Sequence, residues 1–299
     1  METATVRLPL LARSEVVVPA PADGPGNWAG AASAVVVDGE IYLAYRVRRP
    51  LGVGRGVSTV VARSRDGVRF EPVSEVWRRD FGAESFERPV VLRMPAGGWR
   101  LYLSCATPDS KHWWIEAVDA ERPEDFTAGR RSVVLPGSDD VAVKDPVIVV
   151  DESGQWHAWV CEHPLSEAGA EDRMSTAYFS SPDGLGWQRQ GTVLSPRPGT
   201  WDARGARVTD VVSLDPLVVL YDGRPRAEDN WHETTGVARG VAGLPSSVLV
   251  ADDTESLRSP YSDGGCRYVT SVTMPDGTKR FYLEVARPEG AHDLVTATA

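Results

Sequence analysis

The chain lacks the features that mark membrane and nucleic-acid-binding proteins. No apolar run approaches the roughly 20 residues that a membrane-spanning helix needs, so we expect no membrane partner. The formal net charge of −10 argues against nucleic acid or another anionic polymer as a partner. No long amphipathic helical pattern occurs anywhere in the sequence, so helices are not expected to build the core.

Cysteine is also scarce. The three cysteines, Cys105, Cys161 and Cys266, have no metal-ligand spacing and are predicted to be buried packing thiols. No cluster of His, Cys and Asp has metal spacing either, so no cofactor and no catalytic metal are expected, while a structural calcium on a central axis is left open. The odd cysteine count and the lack of a signal-peptide pattern predict a cytoplasmic location.

A unit of about sixty residues recurs five times. Each copy contains an apolar strand, a tight turn and an aromatic-rich strand, and the turns fall at Gly39, Gly98, Gly154, Asp215 and Gly277. Their spacings of 59, 56, 61 and 62 residues are too long for helical repeats and suit four-stranded propeller blades with long loops. The predicted fold is therefore all-β, a five-bladed β-propeller formed by a single domain over residues 1–299.

Two further patterns concern the outer strands of this predicted propeller. The apolar stretch at about 6–19 precedes the first complete repeat, and we expect it to pair with the last blade and close the ring. The motif Ser-x-Asp-Gly-x-x-aromatic occurs at Ser64–Phe70 and at Ser181–Trp187. An Asp-Gly hairpin turn explains the aspartates of both motifs, which are therefore predicted to be structural.

Charged residues concentrate where strands of the repeat begin and end. The first strand of each copy leaves one rim and its hairpin partner returns to it, so these positions meet on one face. A network of ion pairs between blades explains any one of these residues about as well as a substrate site does. In the fifth copy, the charged residue expected next to the start of the first strand is Asp263. The substrate-binding candidates are Asn27, Trp28, Arg46, Arg48, Arg88, Lys144, His163, Arg207, Asp222 and Arg224.

Tryptophans add a second type of candidate. Most of the ten tryptophans fall within strand patterns, where packing between sheets explains them. Trp28, Trp201 and Trp231 lie instead in polar loops, and exposed indole rings stack on sugar faces. These three are predicted to contribute to a binding surface.

Several of these segments resemble one superfamily. LAYRVRRP and the following ARSRDGVRFEP resemble the first blade of five-bladed propeller glycosidases and glycoside phosphorylases. ESFERPVVL and VKDPVIVVDESGQW are similar to the openings of the next two blades, and YDGRPRAEDNWHETTGVA resembles the fourth-blade return. The resemblance spans essentially the whole chain and reaches glycoside hydrolase families 32, 43, 62, 68 and 130.

The resemblance implies acid–base chemistry at an anomeric carbon, which requires one protonated and one ionised carboxyl group. Asp145 matches the family's aspartate that modulates the acid and orients the substrate. By position, Glu87 and either Asp210 or Glu233 are the candidate proton donors. The implied activity is cleavage or transfer of a glycosyl group in the central funnel, glycoside hydrolase-like, on a small-molecule or oligosaccharide substrate.

The first blade departs from the family pattern, and the departure leaves other hypotheses open. Asn27 stands where many members carry a catalytic aspartate, and an asparagine is no general base near neutral pH. The arginines near the rim suit phosphate or an anionic sugar, so a phosphate-dependent glycoside phosphorylase is an alternative. A further alternative is a non-catalytic sugar-binding or interaction propeller, or a scaffold repurposed for small-molecule biosynthesis.

Overall fold

Strands form nearly all the regular structure of this protein in its computed structural model, which describes residues 6–170, 172–241, 244–261 and 264–299. They group into units of four antiparallel strands, joined in sequence order by turns. Unit 1 consists of β2 (Trp28–Val37), β3 (Glu40–Arg48), β4 (Gly56–Ser64) and β5 (Glu71–Trp77). Unit 2 consists of β6 (Val90–Arg93), β7 (Trp99–Ala106), β8 (Trp113–Ala120) and β9 (Arg130–Leu135).

The remaining strands repeat this arrangement. Unit 3 consists of β10 (Val141–Val150), β11 (Trp156–Pro164), β12 (Ser175–Ser181) and β13 (Gln188–Leu194). Unit 4 consists of β14 (Gly205–Leu214), β15 (Leu217–Arg224), β16 (Thr234–Gly240) and β17 (Leu249–Ala251). Unit 5 consists of β18 (Cys266–Thr273), β19 (Lys279–Ala286), β20 (His292–Thr298) and the N-terminal strand β1 (Glu15–Val18). The predicted all-β architecture of four-stranded antiparallel sheets is confirmed.

The N-terminal strand pairs with the other end of the chain. β1 runs antiparallel to β20, with Glu15 opposite Thr296, as predicted for this segment. Units 5 and 1 are further linked by one parallel bridge between Trp28 and His292. The first strands of successive units contact one another in order, and β18 of unit 5 contacts β2 of unit 1, so the series of contacts returns to its start.

Short 3-10 helices are the only helices among the described residues. They lie in connections, at Leu11–Arg13, Leu51–Val53, Arg78–Phe81 and Pro123–Ala128. None of the helices in this part of the chain has the length and apolar character of a membrane span. The core lies between neighbouring sheets, where apolar side chains of adjacent units pack together. Between units 3 and 4, for example, Trp159 and Tyr178 pack with Val208, Val219 and Tyr221.

Bulges in the first strands are the feature that shapes the centre of the molecule. The pairing register of β10 with β11 shifts between Lys144 and Val147. Equivalent shifts occur in β2, β14 and β18. A bulge re-aims the side chains next to it, and residues in a bulge adopt unusual backbone angles. Ala31, Asp145 and Tyr268 occupy matching positions in units 1, 3 and 5, with φ angles of 51°, 51° and 53°.

Candidate functional site

Charged side chains from all five units meet at the centre of the molecule. We call this set the buried ionic cluster. Five carboxylates, five cations and one tyrosine belong to it. Its members are Arg46, Glu87, Lys144, Asp145, Arg207, Asp222, Arg224, Glu233, Arg267, Tyr268 and Glu284. The equal numbers of carboxylates and cations allow burial, because each charge has a partner.

Arg207 joins units 3 and 4 of the cluster. Its Nη1 lies 3.2 Å from Oδ2 of Asp145, and its Nη2 donates to Oδ2 of Asp222 at 2.8 Å. Arg224 donates to Oε1 of Glu233 at 2.9 Å. Since Asp145 is fully buried and also accepts the backbone N–H of Arg88, its carboxylate is fixed in position rather than free to move.

Arg267 and Arg46 extend the cluster through unit 5 to units 1 and 2. Arg267 donates to Glu233 at 2.7 Å and to Glu284 at 2.8 Å. Arg46 donates to Glu284 at 2.8 Å and also pairs with Glu87. These bonds form a continuous chain of alternating charges across the centre of the protein.

Tyr268 lies where the two halves of this chain approach each other. Its hydroxyl accepts a hydrogen bond from Nη1 of Arg207 at 3.0 Å and lies 3.3 Å from both Glu87 Oε2 and Asp145 Oδ2. Burial, together with the negative charges of Asp145 and Glu87, raises the pKa of this phenol well above its usual value. The hydroxyl therefore keeps its proton at neutral pH and shares it as a hydrogen-bond donor between the two carboxylates.

A cavity of about 390 Å³ opens directly above the buried ionic cluster. Glu87, Glu233 and the hydroxyl-bearing Tyr268 form part of its wall, and tryptophan rings form another part. The other lining residues are Arg48, Leu51, Arg55, Lys111, Trp113, Lys144, His163, Asp172, Met174, Arg207, Arg224, Asn230, Trp231 and Arg267. The cavity therefore combines carboxylates, cations and aromatic faces in one concave surface of ligand size.

Glu87 and Glu233 are ionised at neutral pH. Burial on its own would raise the pKa of Glu87, but the charges of Arg46, Lys144 and other cations outweigh it and lower the pKa to about 2. In Glu233 burial again opposes the shift, and the charges of Arg267, Arg207 and Arg224 lower the pKa. Neither group holds a proton near neutral pH, so both act there as anions.

The structure brings seven of the predicted catalytic and substrate-binding residues to the cavity wall, in addition to Trp231. The seven are Arg48, Glu87, Lys144, His163, Arg207, Arg224 and Glu233. Three more, Arg46, Asp145 and Asp222, belong to the buried ionic cluster but do not line the cavity. The prediction that residues at the starts of first strands and at the ends of their hairpin partners meet on one face therefore identified several residues of the cavity and most residues of the buried ionic cluster.

The first unit differs from the expectation. The Asn27 side chain turns into its own loop and donates to the backbone oxygens of Asp23 and Gly24. The residue of unit 1 that matches Asp145 is Ala31, because the bulge of β2 lies at this point and not at Asn27. The first unit therefore contributes no acidic group at this position. The residue at the position is Ala31, whereas the sequence pattern indicated Asn27.

The tryptophans predicted in polar loops have three different environments. Trp28 begins β2 and is buried, with its indole N–H donating to the Gly290 oxygen at 3.1 Å, so it is not an exposed surface. Trp201 packs against Tyr221, with ring centroids 5.2 Å apart, outside the cavity. Trp231 lines the cavity and is 37% exposed.

The side chains of Asp210 and Arg88 do not line the cavity above the buried ionic cluster. They line a second, smaller cavity of about 160 Å³, together with residues of all five first strands. Asp210 accepts a hydrogen bond from Ser271 at 2.5 Å. Because Asp210 follows the bulge in β14 whereas Arg207 precedes it, the two side chains reach different cavities. Asp210 is therefore not positioned to act together with Glu87 and Glu233.

Sequence reasoning missed the contribution of unit 5. Arg267 and Tyr268 lie at the start of β18, where the same strand-start rule would have found them. Asp263, the position that the sequence suggested instead, lies outside the described residues. Glu284 was also missed, since it looks like an ordinary strand residue in sequence. Among the residues that the structure describes, no group of three or more His, Cys, Asp or Glu side chains has the arrangement of a metal site.

The sequence matches no family model and no curated protein. Its structure is similar to solved structures of sugar-cleaving enzymes. A thermostable family-43 glycoside hydrolase superposes with a TM-score of 0.72 at 14% identity, over 94% of this chain and 91% of that one. An endo-arabinase from Bacteroides thetaiotaomicron superposes with a TM-score of 0.67 at 11% identity, over 95% of this chain and 97% of that one.

A phosphorylase has the same overall architecture. The β-1,2-mannobiose phosphorylase from Listeria innocua superposes with a TM-score of 0.65 at 15% identity, over 98% of this chain and 92% of that one. At these identities the similarity establishes the fold, which this chain shares over nearly its full length with the three enzymes.

Proposed function

We propose that the protein is a carbohydrate-active enzyme that cleaves or transfers a glycosyl group in the cavity above the buried ionic cluster. The observation that carries the proposal is the presence of ionised Glu87 and Glu233 in one ligand-sized cavity that also has tryptophan walls. Cleavage of a glycosidic bond requires an ionised carboxylate and a proton donor beside the sugar, and the cavity places Glu87 next to the protonated hydroxyl of Tyr268. The shared fold of the family-43 hydrolase and of the mannobiose phosphorylase supports the same class.

The proposal includes the architecture, with the five four-stranded units as the blades of one five-bladed propeller over residues 1–299. The cyclic order of contacts between first strands, from β2 to β18 and back to β2, supports a closed ring. Lining of the second cavity by residues of all five first strands supports a central axis. Closure removes the exposed sheet edges that would otherwise favour aggregation.

Glu87 is the central residue of the proposed reaction. When the bond between the anomeric carbon and the glycosidic oxygen breaks, positive charge develops on the carbon and the leaving oxygen takes up a proton. The Glu87 carboxylate stabilises that positive charge or accepts a proton from the attacking water. Tyr268, whose hydroxyl lies 3.3 Å from Glu87, donates its proton to the leaving oxygen, and the proton that Glu87 takes from the attacking water returns to the Tyr268 phenolate. Asp145 positions the Tyr268 hydroxyl.

Phosphorolysis is the second candidate, favoured by the cations of the cavity wall. Seven lysine and arginine side chains line the cavity against three carboxylates. Guanidinium groups bind phosphate in bidentate fashion. A phosphate nucleophile also needs no water-activating base, which fits a first unit with Ala31 at the position of Asp145.

The test is product analysis with a panel of α- and β-linked disaccharides and aryl glycosides, incubated with the purified protein with and without inorganic phosphate. Free sugar formed without phosphate supports hydrolysis, and a sugar 1-phosphate formed only with phosphate supports phosphorolysis. Ligand binding without either product would make the protein a sugar-binding module and reject the enzyme assignment.

We also propose that the protein works in a reducing, cytoplasmic compartment. Cys105, Cys161 and Cys266 are all buried and none forms a disulfide. Burial raises the pKa of Cys161 to about 12, so this thiol stays protonated and unreactive.

A further inference from the structure

Arg48 differs from the other arginines of the cavity wall. Arg207, Arg224 and Arg267 are each paired with carboxylates of the buried ionic cluster, at distances of 2.7 to 3.2 Å. Arg48 is 3% exposed, yet it forms no ion pair in the described part of the chain. Its Nη1 donates a long hydrogen bond to the neutral Gly26 oxygen at 3.4 Å. A buried cation normally has an anionic partner, so this one lacks the group that would balance it.

Nearby carboxylates do not balance Arg48, because other cations already pair with them. Arg46 pairs with Glu87 and Glu284, and Arg267 pairs with Glu284 and Glu233. Burial and the charge of Arg46 lower the pKa of Arg48 to about 10, so it remains positively charged at neutral pH. An anion bound in the cavity would offset both the energetic cost of burying the Arg48 charge and the repulsion between Arg48 and Arg46.

Two tryptophans hold the Arg48 guanidinium in place. Its central carbon lies 3.9 Å from the ring centroid of Trp28 and 5.0 Å from that of Trp231. The two indoles meet edge to face, with centroids 5.5 Å apart. Contacts with aromatic faces occupy the faces of a guanidinium and leave its N–H edges for hydrogen bonds. The edge of Arg48 is therefore pre-organised toward the cavity.

Trp231 itself has an unusual backbone conformation. Its φ angle is 85°, which a bulky side chain rarely adopts. Strain of this kind is concentrated at functional sites, where the surrounding structure holds a side chain in a particular place. Here it holds a partly exposed indole beside Arg48, as a platform for the face of a sugar ring.

We infer that Arg48 binds an oxyanion of the ligand, a carboxylate or phosphate group, while Trp231 stacks on the sugar ring beside it. The inference rests on the proposed function, since it assigns the substrate class of the same cavity. Two sources of the oxyanion share this chemistry. The sugar carries it, as in a uronic acid or a sugar phosphate, or inorganic phosphate supplies it from solution.

Calorimetric titration tests the inference without requiring turnover. The probes are glucuronate, glucose 6-phosphate, glucose and inorganic phosphate, each titrated into the wild-type protein and the R48Q variant. We expect an acidic sugar to bind the wild type at least about tenfold more tightly than glucose, because a charge-assisted hydrogen bond contributes that much or more. R48Q should remove this preference, and R48K should restore part of it. Tight binding of inorganic phosphate alone would identify solution phosphate as the source.

The neighbouring Arg49 provides the control. Its guanidinium donates to the Pro21 oxygen at 3.1 Å and does not line the cavity, so R49Q removes the same charge without touching the site. R49Q should keep the wild-type preference, and thermal melting should show that R48Q remains folded. The inference is overturned if neither an acidic sugar nor inorganic phosphate binds the wild type more tightly than glucose does, or if R48Q binds the preferred anion as tightly as the wild type. Arg48-dependent binding with no cleavage of any glycoside would instead reject only the proposed enzymatic function.

Discussion

The hydroxyl of Tyr268 lies 3.3 Å from the Glu87 carboxylate, although 181 residues separate the two in sequence. The contact joins unit 5 to unit 2 across the centre of the molecule, and the same hydroxyl reaches Asp145 of unit 3. One phenolic proton is thus shared between two carboxylates from different sheets. Any change at Tyr268 should alter both carboxylates, which makes it a direct probe of the proposed site.

Replacing Tyr268 by Phe removes this shared proton and leaves the ring. We expect a loss of about 1–2 kcal/mol in the free energy of unfolding, because buried carboxylates lose a hydrogen bond. Turnover of any substrate found should fall by about tenfold or more. Tyr282 is the control, since it is also buried and donates to the Gly67 oxygen outside the site. Y282F should lower stability comparably with unchanged turnover, and equal turnover in both variants would contradict the role of Tyr268.

Arg267 should be a main contributor to the stability of the buried ionic cluster. R267M leaves Glu233 and Glu284 each with one cation fewer, and we expect a loss of about 3 kcal/mol in urea unfolding, as found when a buried pair is broken. Arg122 pairs with Asp125 at 3.0 Å on the surface, where solvent screens the charges. R122M should therefore leave the unfolding midpoint unchanged. Similar midpoints for the two variants would show that the buried network contributes little.

Gly30 should be intolerant of any side chain. A Cβ atom at this position would overlap the Glu284 carboxylate, which Arg46 and Arg267 hold from the other side. G30A should cost about 2 kcal/mol or more through overpacking and displacement of Glu284. At Gly52 an added Cβ would have no atom within 4 Å, so G52A should melt at the wild-type temperature. A wild-type melting temperature for G30A would mean that Glu284 can move freely.

Stability should fall in acid over a defined pH range. The folded-state pKa of Glu87 is lowered from 4.5 to about 2, and that of Glu233 is lowered as well. A lowered pKa stabilises the folded state above the unfolded-state pKa, and this stabilisation is lost as pH falls toward the folded-state value. The contribution of Glu87 and Glu233 to the urea midpoint should thus be steady from pH 7 to about 5 and decrease below it. E87Q should show a shallower decrease, and an identical slope in both proteins would contradict the assignment.

More of the fold than of the site could be predicted from the sequence, for identifiable physical reasons. Turn glycines and alternating strands recur at a regular spacing, so the four-stranded units and the pairing of β1 with β20 could be predicted. Strand polarity then located Glu87, Lys144, Arg207 and Glu233 on one face. Both inferences depend only on local patterns and chain direction.

Bulges account for most of what the sequence could not show. One extra residue in a first strand decides which of the two cavities a side chain reaches. Arg207, before the bulge in β14, lines the cavity above the buried ionic cluster, and Asp210, after it, lines the second cavity. Nothing in the sequence marks Ala31 as the counterpart of Asp145, since the match depends on a shared backbone conformation. Tyr268 was missed for a different reason: it lies at a strand start, but an aromatic residue in a strand is ordinarily explained by packing.

The most direct measurement is the turnover number of E87Q on the best substrate of the glycoside panel, with E84Q as the matched control. Glu84 lies three residues earlier, does not line the cavity, pairs distantly with Arg55 at 3.9 Å and accepts a hydrogen bond from the Asp109 backbone N–H at 3.1 Å. If Glu87 takes part in glycosidic cleavage, E87Q should lose about 100-fold or more in kcat while E84Q stays near wild type. Wild-type turnover by E87Q, or no cleavage of any glycoside by the wild type, would contradict the account.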